Sequence, residues 1–152
     1  MMNNNEMMNY VSFRAAEAAG KAGYDDICDT WWFTGDDGRH HLEKAGRGLT
    51  VNRPMNNTEL MDMCSENERY VSAPALLTLH AWQLEHTDII CSVDRCVMPL
   101  DGRLYMCRFS YLHPHRNMRD EYAPVFGGTY TEALDNGIRF LIGVILMDRQ
   151  EK

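Results

Sequence analysis

Apolar and polar positions follow two rhythms along this chain, and both are clearest between Ser72 and Met147. Ser72-Ala73-Pro74 has the form of a helix start, a capping hydroxyl followed by a proline whose missing N–H costs nothing in the first turn. It predicts a helix over Ala73 to His86, with Leu76, Leu77, His80 and Leu84 on one side and Ala75, Leu79 and Trp82 on another. So wide an apolar surface predicts burial against more than one element. Asp88 to Arg95 and Leu104 to Leu112 then form a β-hairpin around Asp101-Gly102. A tight turn at that dipeptide sets Cys96 opposite Cys107, Asp94 opposite Phe109 and Arg95 opposite Arg108. Thr129-Tyr130-Thr131-Glu132 is a capping box opening a last helix, about Tyr130 to Met147. Its stripe of Tyr130, Leu134, Gly137, Ile138, Leu141 and Ile145, widened by Phe140, Val144 and Met147, exceeds one sheet face. Either the helix is sandwiched within its own domain, or part of it forms a partner interface such as a homodimer.

The first half is less regular. Ser12 caps a helix from Phe13 to Ala22, rich in alanine and ended by Gly23. Ile27 to Thr34 is β-branched and aromatic enough to predict a strand, closed by the turn Gly35-Asp36-Asp37-Gly38. Arg39 to Pro54 reads as a loop with a short strand at Leu49 and Val51, and Thr58 as the cap of a brief helix from Glu59 to Cys64. The Met- and Asn-rich residues 1–11 read as a disordered polar arm, and residues 12–152 as a single α+β domain. The expected architecture is an antiparallel sheet of three or four strands packed against helices from both ends of the chain.

Composition narrows the function classes. At 152 residues the chain can bury a core without metal or disulfide staples. No apolar run approaches the roughly 20 residues of a membrane span. The first residues lack the basic start and apolar centre of a secretory signal, so the expected location is cytoplasmic. Five cysteines form an odd set without a framework and read as reduced thiols. The formal charge is −7, with 14 acids against 7 bases in residues 1–90. That balance argues against direct nucleic-acid binding, which needs clustered cations, and for a partner with a basic surface.

The candidate chemistry is sparse. Cys91, Cys96, Cys107, His113 and His115 are the nearest approach to a zinc set, but the expected register turns Cys91 away from the other two thiols, so no metal is expected. His40-His41 beside Asp36 and Asp37 reads as a solvated turn, and His80 as a core histidine with a backbone partner. No phosphate loop, nucleophile elbow or His-Glu-x-x-His helix is present, so the expectation is a binding protein without catalysis or cofactor. Trp31 and Trp32, with Asp36 and Asp37, are the candidate partner-binding residues, because exposed tryptophan is a common anchor. The alternative is a nucleotide or anion site. There Arg95 and Arg108, repelling each other across the hairpin, would join Arg103, with Tyr105 or Tyr111 stacking on the ligand.

Ser72-Ala73-Pro74, Leu76-Leu77, Trp82, the hairpin and Tyr130-Thr131-Glu132-Ala133-Leu134 with Gly137 together resemble a group of small uncharacterised proteins encoded by bacteriophages and mobile elements. The resemblance covers the second half, and departs from the group at Ala75 and Leu76, where polar residues are common. It implies a genomic setting in which a small acidic protein occupies a basic surface on a host protein. An inhibitor of host defence, such as an anti-CRISPR protein, is the concrete form. A nucleotide or anion binder and a virion or structural oligomer component are the other expectations.

Overall fold

The structure, a computed structural model, describes residues 2–46, 53–112 and 122–150. It is α+β, with two small antiparallel sheets of three strands each. By its contacts the chain divides into two compact units, Met1–Leu76 and Leu77–Lys152.

The first unit contains α1 (Asn4–Met7), α2 (Phe13–Lys21), β1 (Thr30–Thr34), β2 (His40–Lys44), α3 (Asn57–Met63) and β3 (Arg69–Ser72), with sheet order β2-β1-β3. The N-terminal arm is folded. Asn3 and Glu6 form a reciprocal capping box on α1, Met2 and Val11 are buried, and the Val11 N–H donates to the Pro74 carbonyl. Ser12 caps α2 as its sequence predicts, by accepting from the Ala15 N–H, and Gly23 follows at φ 97°. The small residues Ala15, Ala16 and Ala19 form the buried face of α2.

Alternation along β1 sends its aromatic side chains to opposite faces, and both faces are covered. Trp31 is fully buried with Met55, Leu60 and Tyr70, and Phe33 packs on that cluster. Trp32 packs on Met2, Leu42 and Ala73. Gly35 to Gly38 forms the expected turn, but β2 runs from His40 to Lys44, earlier than expected, and Leu49 and Val51 lie outside the described residues.

Two expected caps belong to other elements. Asn56, rather than Thr58, caps α3 by accepting from the Glu59 N–H, while Thr58 donates its N–H and hydroxyl to Asp25. Ser72 ends β3 instead of starting a helix: it pairs with Trp31, and the Ala73 N–H donates to the Thr30 carbonyl. Ladder hydrogen bonds to a strand far away in sequence outweigh the local capping preference.

The second unit holds all of α4 (Leu76–Thr87) but its first residue, with β4 (Ile89–Leu100), β5 (Arg103–Tyr111), β6 (Val125–Gly127) and α5 (Tyr130–Gln150), in sheet order β4-β5-β6. Leu76, Leu79 and Gln83 form the buried row of α4, whereas Leu77 is exposed. Gln83 satisfies its amide by donating to Thr87 Oγ1 at 2.5 Å and to the Ile89 carbonyl at 2.8 Å. It thereby fastens the helix-to-strand junction, where Asp88 adopts φ 57°.

Helix α5 buries Leu134, Ile138, Leu141, Ile142 and Ile145, and packs on all three strands of the sheet. Two glycines allow that approach. A Cβ on Gly137 would lie 2.3 Å from Cys107 Sγ, and one on Gly127 would lie 2.4 Å from the Ala133 nitrogen. Among the described residues, no helix is long and apolar enough to cross a membrane.

Candidate docking site

The hairpin departs from its expected register in a way that moves every candidate residue on it except Arg103. Leu100 pairs with Arg103 across the Asp101-Gly102 turn, as a tight turn requires, but beyond Leu104 the pairing jumps to Arg95 opposite Tyr105. Residues 96–99 of β4 thus stand against the single residue Leu104 of β5. This extended bulge leaves residues 96–99 of the edge strand without paired partners of their own. Its side chains are accordingly exposed: Val97 by 97%, Met98 by 84%, Leu100 by 70%, with Leu104 at 41% opposite them. Four exposed aliphatic side chains thus stand near one another in sequence at one hairpin end, with the charged Arg95, Asp101 and Arg103 as chain neighbours.

The same shift overturns the expected pairs. Cys107 lies opposite Val93 rather than Cys96, Asp94 opposite Met106 rather than Phe109, and Arg108 opposite Ser92 rather than Arg95. An offset of three positions is odd, so it exchanges faces: Cys91 and Cys107 share the buried side of the sheet that was expected to separate them. The hydrogen bond to Cys107, then burial, pushes the Cys91 thiol up; Gln83 Oε1, 3.7 Å away, is the alternative acceptor for its one S–H. All five cysteines are free thiols. Among the described residues, no group of three or more His, Cys, Asp or Glu side chains is placed to hold a metal; His113 and His115 lie outside them.

The arginine set does not assemble. Arg108 is engaged by Asp94, with its Nε 3.2 Å from Asp94 Oδ2. Strand alternation turns it to the face opposite Tyr105 and Tyr111. Arg95 is exposed across from Tyr105, Arg103 lies over the Phe126 ring at 5.2 Å, and Tyr105 makes an edge contact with Tyr130.

On the first unit, Trp31 donates its indole N–H to Glu43 and Trp32 donates to the Val11 carbonyl. Trp31 is a core residue rather than a surface anchor, because the strand has a packed layer on each side. Asp36 and Asp37 remain exposed in their turn, where Asp37 accepts from the Arg39 N–H. His40 stacks on Phe13 with ring centroids 3.6 Å apart, and His41 is exposed. His80 Nε2 is buried without a hydrogen-bond partner among the described residues, where a backbone partner was expected.

The bulge residues carried no sequence signal as a site. Val97, Met98 and Leu100 look like ordinary strand residues, and their exposure follows from a register that no local pattern specifies. Neither a protein-family model, nor a curated protein, nor a solved structure matches this chain significantly.

Proposed function

We propose that this protein acts without catalysis, by docking on another protein through the tip of the β4–β5 hairpin. The observation that carries this reading is the bulged, exposed aliphatic tip of Val97, Met98, Leu100 and Leu104. Exposed apolar surface of this kind costs solubility and is characteristic of contact sites. The partner's complementary feature is a shallow apolar pocket. Net negative charge favours a basic surround through faster encounter. In the phage or mobile-element setting suggested by the second-half sequence pattern, the partner is a host protein and the outcome is stoichiometric inhibition of a defence effector, anti-CRISPR proteins being the concrete form.

The test is paired affinity capture from lysate of the producing cell's host, with the wild-type chain and a Val97→Glu/Leu100→Glu variant, at low and high salt. A single protein retained by the wild type, lost by the variant and weakened by salt is the expected result. Identical captures by both chains would remove the hairpin from the reading.

A further inference from the structure

Helix α5 contains a second glycine whose presence its own packing does not explain. Gly137 is required by Cys107, but a Cβ on Gly143 would meet nothing within 4 Å. A glycine inside a helix is less favourable than alanine, and here no close approach offsets that cost. What Gly143 does is keep open the floor of a cleft of about 770 Å³ between α5 and residues 122–126. Tyr122, Val125, Phe126, Phe140, Val144 and Met147 supply its apolar walls.

The polar groups of this cleft are arranged by charge. At one end Asn136 donates to the Phe126 carbonyl at 2.9 Å and accepts from Arg139 at 3.5 Å, so a pinned amide orients the guanidinium. Arg139 makes no ion pair among the described residues. Asp148 borders the other end, about 13 Å farther along the helix axis at 1.5 Å per residue.

From this we infer that the cleft is a binding site for an apolar monocarboxylate, an alkyl chain of medium length with one terminal carboxylate. The carboxylate pairs with Arg139, a fork of donors suited to two oxygens. The chain lies over Gly143 toward Val144 and Met147. Asp148 repels a carboxylate in the reverse orientation, which sets the direction of binding. A pocket of this size, mostly apolar with a few convergent polar groups, is the usual form of a small-ligand site.

Decanoate is the probe, followed by backbone amide shifts on the full chain, with decyltrimethylammonium as the charge control. Saturable shifts confined to residues 122–126 and 136–148 are expected, weakened at least tenfold by Arg139→Gln. Gly143→Leu fills the open floor, raises helix propensity and should abolish them while the rest of the spectrum stays native. Absence of saturable shifts, or undiminished binding to Gly143→Leu, would overturn the site. Equal binding of the cationic probe, or unchanged affinity in Arg139→Gln, would overturn the carboxylate assignment.

Discussion

Single residues hold the tightest constraints in this protein, and several of them are glycines and amides rather than large hydrophobes. Gly127 sits against the backbone at Ala133, which cannot retreat as a side chain can. Gly127→Ala should therefore cost about 3 kcal/mol, measured by urea unfolding. Gly137→Ala meets a sulfur instead, and should recover part of its loss when Cys107→Ala removes that sulfur; additive losses in the double mutant would contradict the contact. Asn57 bonds the Tyr24 carbonyl and the Ser72 N–H, each at 2.7 Å, joining three separate segments of the first unit. Asn57→Ala leaves both backbone groups without this partner and should cost about 2 kcal/mol. Thiol reactivity follows the same local logic. Burial pushes Cys28 up, and the Cys107 hydrogen bond with burial pushes Cys91 up, so neither supplies much thiolate near neutral pH. Cys64 and Cys96, both less buried, should be alkylated by iodoacetamide before Cys28, Cys91 and Cys107, the last of which the Cys91 hydrogen bond pushes down but full burial shields; mass mapping of a time course checks the order. Of these constraints, the sequence displays the residue type but not the contact that makes it matter.

At the scale of elements, legibility depended on whether the deciding interaction was local. Ser12 and Thr129 cap the helices that follow them, because a cap bonds an N–H three residues away. Ser72 has the same signature and sits in a strand, since Trp31 and Thr30 claim its neighbourhood through the ladder. The hairpin turn was legible for the same reason: Asp101 and Gly102 take positive φ of 46° and 77°, which this dipeptide tolerates. The bulge a few residues away was not, because it is a choice between pairings that alternation alone cannot rank. Helix α4 provides a pH test at this scale. Burial lowers the pKa of His80, so the folded chain resists protonation more than the unfolded one does. Its contribution is present above the unfolded pKa of about 6.5 and is lost as pH falls from that value through the lower folded one. The urea midpoint should drop between pH 7.5 and 5.5, and His80→Gln should flatten that part of the profile.

For the whole molecule, the sequence conveyed a class and a charge, and the three-dimensional pairing decided which surfaces are available. The apolar stripe of the last helix is largely consumed within the second unit, where α5 buries five large aliphatic side chains. Light scattering should accordingly give Met147→Glu the same molar mass as the wild type; a lower mass for the variant would place self-association on α5. The first unit holds twelve acids against seven bases and the second ten against eight, so most of the net negative charge lies on the first unit while the exposed aliphatic tip stands on the second. The sequence by itself determined the α+β class, the antiparallel hairpin, the amphipathic helices and the negative charge, because periodicity, capping and charge are properties of residues and their near neighbours. Tertiary structure alone decided that Trp31 is core, that Cys91 joins Cys107, that Arg108 pairs with Asp94, that Val97 and Met98 are exposed, and that Arg139 borders a cleft. Each of those outcomes turns on a register or a packing contact between segments distant in sequence, where small differences in pairing energy select one arrangement.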